Sequence, residues 1–234
     1  MEFVVFDIGA DLAQYKKPFT TMSPQTFAIP TGTALIGMIS AIIGLDKKDY
    51  WQYFHENSYV LSAVVRQPIK KVVIPINTLK TTSLKHFARF KEHKQMTMEF
   101  IKDCKFRVYF AWQDTERFDE FKKKLWNHET HYTFSMGLAW NLADFQYVDS
   151  VSGTEESSED WLEFNSVIRK DLIKEIDFTN RKIYANRIPV RMKPDNSREV
   201  VQYSEYLFES EGTPVRAKVT HYYKLKNGEN IVPF

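Results

Sequence analysis

Cysteine is almost absent from this chain. Cys104 stands alone among 234 residues, which excludes an internal disulfide and any zinc site built from cysteines. An excess of one charge sign is lacking as well: 32 lysines and arginines face 30 acids, a net charge of +2. Nucleic-acid binding therefore cannot rest on total charge and has to come from a local basic surface. Long apolar runs are missing; the uncharged stretch from Ala34 to Leu45 is well short of the roughly 20 residues a membrane span needs. No HxxxH pair, no paired cysteines, no Asp/Glu box and no glycine-rich nucleotide loop occurs, so neither metal nor cofactor is expected. The N-terminus MEFVVFDIGADL has no positive n-region and carries acids within its apolar part, so a secretory signal is not expected and a cytoplasmic, membrane-free chain is.

What is present reads as globular. At 43% hydrophobic and 26% charged, the chain can bury a substantial core in one or two domains. Its centre is TFAIPTGTALIGMISAIIGL, Thr26 to Leu45. Thr31 or Thr33 serves as an N-cap and Gly44 as a C-terminal stop, which predicts a buried helix of about three turns. Glu2 to Ile8, rich in Val, Phe and Ile, predicts a central strand buried on both faces. Asp46 to Asn57 predicts a short helical segment through Tyr50, Tyr53 and Phe54. Tyr59 to Arg66, Val72 to Ile76 and Lys105 to Trp112 are strand-like, with Pro68 and Pro75 as punctuation. Asp114 or Thr115 caps an amphipathic helix to about Asn127, with Phe118, Phe121 and Leu125 inward and a Glu120–Lys124 pair outward. Collected in order, the elements run strand, helix, strand, strand, helix, strand, the order of a ferredoxin-like α+β domain. Ser150 to Glu163, acidic and without a base, reads as a solvated linker and boundary. Lys182 to Arg191, Val200 to Phe208 and Val215 to Leu225 then predict hairpins of a small C-terminal β extension.

Candidate contacts follow from chemistry. The amides of Gly32 and Thr33, beside Thr31, lie at the positive end of the first helix, where a phosphate binds. From Thr78 to Lys105 the local charge is +4, and rings are interleaved with bases: Lys80, Lys85, His86, Phe87, Arg89, Phe90 and Lys91. Cations for phosphates and π-faces for unstacked bases are what single-stranded RNA uses, and a long projecting hairpin is the expected form. Arg66 adds a cation just before it, and Arg181, Arg187, Arg191 and Arg198 add others whose strand faces are as readily solvated. The histidines give no motif that fixes a partner, although His128 with His131, or His86 with His93, could be assembled into a pair.

The order of Gly9-Ala10 after a first strand, Lys17-Pro18-Phe19, a Ser23-Pro24 to Pro30 loop, and Thr33-Ala34-Leu35-Ile36-Gly37 opening an apolar helix resembles the CRISPR-associated Cas five family. That family belongs to the RAMP superfamily and supplies Cascade subunits; the likeness is nearest to its type I-B branch and covers residues 1 to about 150 best. The resemblance implies an RRM-like RAMP domain over residues 1–150 with a thumb insertion at 78–105, and a linker with a β-rich extension over 151–234. It implies that the loop at Lys16 and Lys17 lies against RNA. Ser135, Met136 and Gly137 are similar to the turn that replaces the glycine-rich RAMP loop, though with a single glycine.

The expected function is then a non-catalytic subunit of a type I surveillance complex in antiviral defence. As the resemblance implies, it binds the 5′ handle of crRNA, caps the backbone filament, touches Cas seven-type and large Cas eight-type subunits, and meets target DNA indirectly. Two alternatives stay open: a metal-independent endoribonuclease that processes precursor crRNA, and a scaffold that meets only protein.

Overall fold

The computed structural model describes residues 1–79, 83, 93–193 and 199–234. Its largest feature is a sheet organised around β1 (Glu2–Ala13), which pairs antiparallel with β4 (His93–Trp112) on one side and β5 (Asp144–Glu156) on the other. β2 (Tyr59–Val65) pairs with the second half of β4, and β3 (Lys70–Leu79) with its first half, from Lys70 opposite Lys102 to Leu79 opposite His93. One strand thus serves two partners in succession, and Asp103, with φ +49°, lies where they change. The strand expected from Lys105 accordingly starts at His93. Pro75 is tolerated because β3 pairs only with β4 among the described residues, so the nitrogen without a hydrogen costs no second ladder.

α1 (Gly32–Ile43) follows β1, and α2 (Thr115–Trp126) follows β4. Thr31 caps α1, its Oγ1 accepting from Ala34 N at 3.1 Å, and Gly44 ends it at φ +85°. Asp114 caps α2, accepting from Arg117 N at 3.1 Å, and Lys124 lies 3.4 Å from Glu120 on its outer side. Both helices pack on the same sheet face. Val4, Phe6 and Ile8 of β1 point there, as period-two alternation requires, and Phe121 meets Phe6 and Phe110 edge to face with centroids 5.5 Å apart. Phe3, Val5 and Tyr109 point the other way, under Tyr223, Leu225 and Ile231. β1 is therefore buried on both faces.

The C-terminal part departs from its expected form. The segment expected to be a solvated linker continues as β5 to Glu156, followed by β6 (Leu162–Phe164), β7 (Ile168–Arg169) and β8 (Ile173–Ile176). Glu155, exposed, and Glu156, half-buried, are strand residues that accept hydrogen bonds from the Tyr223 and Tyr222 hydroxyls, at 3.3 and 3.1 Å. Their backbones pair with β12, so the acids sit on an interior strand of the main sheet. Beyond come β9 (Ile183–Met192), β10 (Val200–Glu209), β11 (Val215–Val219), β12 (Tyr222–Leu225) and β13 (Asn230–Ile231). The strand expected over Val215–Leu225 is thus two, which enter different sheets. β12 and β13 lengthen the main sheet beyond β5, β6-β11-β8 form a second sheet, and β7-β10-β9 a third. Ile188, Tyr206 and Phe208 of the third sheet belong to the same core as the helices. The helical segment expected at Asp46–Asn57 shrinks to one 3₁₀ turn, Tyr50–Tyr53, whose Tyr50 and Trp51 are buried.

Candidate nucleic-acid interface

The chain leaving β1 forms a closed loop. Tyr15 N donates to Thr26 Oγ1, Phe27 N to Tyr15 O and Lys17 N to Gln25 O, each at 2.9 Å. At its tip Phe19 is 76% and Met22 68% exposed. The loop leans on β4: Glu99 N donates to Pro24 O at 2.8 Å, while the Glu99 carboxylate accepts from Thr26 N at 3.1 Å and pairs with Lys71 Nζ at 2.9 Å. Partial burial works to raise the Glu99 pKa, but the hydrogen bonds from Lys71 and Thr26 outweigh it and hold the carboxyl below its ordinary range. Lys71 is thereby occupied, whereas Lys16 is exposed and Lys17 half-buried, its amine 3.4 Å from Gln25 Oε1.

At the start of α1 the expectation needs correction. Gly32 is buried, and a Cβ there would stand 3.6 Å from Val190 O and 3.9 Å from Phe234 Cβ, so β9 and Phe234 pack against its α-carbon and the residue lies inside the protein instead of on an open anion site. Thr31 and Thr33 are buried too, with their hydroxyl oxygens 2.9 Å apart. What the helix start presents is a pair of mutually bonded hydroxyls.

The loop before β5 is pressed onto the same region. Gln14 N donates to Met136 O at 3.1 Å, and Met136 N to Asn141 O at 2.9 Å. Gly137 has φ +92°, and a Cβ there would lie 1.8 Å from Gln14 O, so only glycine fits. Met136 is fully buried, which removes its side chain from any ligand contact and corrects that expectation; Ser135 is half-buried and Gly137 exposed.

These three segments converge on one cleft of about 500 Å³, lined by Lys16, Thr31, Thr33, Ser135 and Gly137. Tyr203 of β10 closes the other side, with the Arg187 guanidinium 5.7 Å from its ring centroid. Gln14 and Tyr15 also line it; the Gln14 Oε1 and the Tyr15 hydroxyl are buried without a partner among the described residues, and burial pushes the Tyr15 hydroxyl well up. An exposed ammonium and an aromatic face beside a guanidinium are the groups that phosphates and unstacked bases engage. Tyr203 escaped sequence reasoning. Its only signal was an aromatic in a strand whose partner strand carries cations.

The remaining candidates lie elsewhere. Arg66 is exposed at the end of β2, its N–H donating to Lys105 O at 2.9 Å, and does not line the cleft. Lys80, Lys85, His86, Phe87, Arg89, Phe90 and Lys91 lie outside the described residues. His128 stacks on Phe145 with Nε2 3.1 Å from Asp144, while the His131 ring lies where a Cβ on Gly44 would reach, so the two occupy separate settings. Burial pushes the Cys104 thiol up to about 11, an unreactive setting. Among the described residues no three His, Cys, Asp or Glu side chains gather as a metal site, and no helix is long and apolar enough to cross a membrane.

No family model matches the chain, and no curated protein matches its sequence. Solved structures do match its fold. A CRISPR protein from Archaeoglobus fulgidus superposes with a TM-score of 0.59 at 14% identity, covering 100% of this chain and 99% of that one. A chain of a CRISPR RNA-guided surveillance complex superposes with a TM-score of 0.55 at 10% identity, covering 93% and 92%. The protein therefore shares the fold of CRISPR-associated proteins over essentially its whole length.

Proposed function

We propose that this chain is a non-catalytic, RNA-binding subunit of a type I CRISPR surveillance complex, a RAMP protein of the Cas five kind. The carrying observation is the cleft itself: Lys16, Thr31, Thr33, Ser135 and Gly137, drawn from three separate stretches, line one groove beside Tyr203. The strand order β5-β1-β4-β2, with a helix after β1 and another after β4, supports reading the main sheet as ferredoxin-like. The β3–β4 pair, continuing toward the cationic segment 80–92, supports reading it as a thumb. Within this proposal the 5′ handle of crRNA enters the cleft, Lys16 and Lys17 neutralise its phosphates and Tyr203 stacks on a base. Cas seven-type and Cas eight-type subunits meet other faces, and the complex acts in the cytoplasm.

Ultraviolet crosslinking of the protein to handle-bearing RNA, read by mass spectrometry, tests the proposal. Adducts on Tyr203 or the Tyr15–Phe27 loop are expected; their absence there and in 80–92 overturns it in favour of a protein-only scaffold. The non-catalytic assignment draws on the sequence, in which no histidine sits in a motif that fixes an acid–base partner for one phosphate. Handle-sized product from repeat RNA incubated with the protein in EDTA would reverse it.

A further inference from the structure

Gly37 sits in the middle of α1, where glycine is the poorest helix former after proline. The ordinary reasons for a glycine fail here. It does not share the positive φ of Gly44, and it lies well inside both helix ends. A Cβ on it would meet nothing within 4 Å, so no neighbouring segment presses on it either. The space beside it is open, and Gly37 lines the cleft that holds Lys16 and Tyr203. A costly helix residue that packing does not require points to something outside the chain that needs the room.

The rest of α1 says what kind of group fits. Ala34, Gly37 and Ala41 are the residues of α1 that are not buried, and all of them line this cleft. Their spacing puts them on one helix face. A helix face that water reaches normally carries polar side chains, whereas this one offers two methyl groups and a hydrogen. Such a floor suits a flat, apolar group. β9 and β10 contribute Pro189, Met192, Val200 and Tyr203, whose ring is 36% exposed. Charge narrows the occupant further: no acid lines the cleft among the described residues, and Lys16, exposed, is the cation that does. A flat ring on an anionic chain matches floor, wall and cation together; an aliphatic protein side chain matches the floor alone. We propose that Gly37 keeps open the seat of one unstacked nucleobase, which lies between the α1 face and the Tyr203 ring, with Lys16 at a neighbouring phosphate. This inference rests on the RNA-binding reading above and adds to it where the base goes and which residue makes room for it.

The test compares the full chain with Gly37→Ala and Gly37→Leu, by fluorescence anisotropy of a labelled octauridylate and of an abasic oligomer with the same number of phosphates. Thermal unfolding reports the fold. Gly37→Ala should raise the midpoint, because alanine is the better helix former and its Cβ enters open space. Octauridylate affinity should fall about fivefold or more in Gly37→Leu, the low end of what one stacked base contributes, and by less in Gly37→Ala. Affinity for the abasic oligomer should stay at the wild-type value in both. Wild-type octauridylate binding by a folded Gly37→Leu overturns the proposal and gives the α1 face to a protein side chain. An equal loss on both oligomers overturns it too, since the base is then not what residue 37 admits. If Gly37→Leu does not fold, Gly37→Ala decides: a loss confined to octauridylate supports the proposal, and no loss overturns it. The two readings fail separately. Tyr203 adducts that persist at wild-type yield in a folded Gly37→Leu strike this inference and leave RNA binding standing, whereas a wild-type chain that binds neither oligomer removes both.

Discussion

Two residues near the cleft carry more than their size suggests. Gly137 is held at φ +92° against the Gln14 carbonyl, so Gly137→Ala combines left-handed strain with a steric overlap that only backbone movement relieves. A loss of roughly 2 kcal/mol or more is expected, read as a lowered midpoint in thermal or urea unfolding. Thr31→Ala removes the cap of α1 and the hydrogen-bond partner of Thr33, an expected loss of about 1 kcal/mol in the same measurement. The Glu99 pKa is held down in the folded chain. Its stabilisation is therefore complete above the ordinary carboxyl value of 4.5 and is lost as pH falls through the lower folded value. Acid unfolding of Glu99→Gln, followed by circular dichroism, should show a shallower decline than wild type in that acidic window. Gly137 was legible as a lone turn glycine; that it presses on Gln14 was not, because the two lie far apart in the chain.

Among elements, β4 shows where local reading succeeds and where it stops. The alternation of Phe106, Val108 and Phe110 with Arg107, Tyr109 and Ala111 was plain, and those residues do pair with β2 and β1. The preceding stretch from His93 alternates poorly because β3 alone supports it at the edge, and many of its side chains stay in solvent. Acidic Ser150–Glu163 misled in the opposite sense: its first half, to Glu156, is strand, and pairing with β1 and β12 holds that backbone extended despite weak β-propensity. α1 and α2 were legible nearly to their ends, since caps and apolar spacing are local. At this scale Phe121→Ala, emptying the contact of α2 with Phe6 and Phe110, should cost about 3 to 5 kcal/mol in urea unfolding.

At the scale of the whole molecule, Ile188, Tyr206 and Phe208 share a core with both helices, so unfolding should be one cooperative transition. Coincident fluorescence and circular-dichroism curves are the expected result; two separated transitions would mean that the C-terminal strands fold independently. Under the proposed function, RNA affinity should fall with salt, and Lys16→Ala should reduce the slope of log K against log salt by about 1, the release of one counterion. By itself the sequence determined the two helices and the central strand, because propensity, capping and apolar spacing act over a few neighbours. Only the tertiary structure decided that Gly32 and Met136 are sealed away, that Tyr203 joins Lys16 across one cleft, and that the acidic segment enters the main sheet as far as Glu156. Those outcomes depend on which distant backbones pair and what they cover, and long-range pairing leaves no mark within a local stretch of residues.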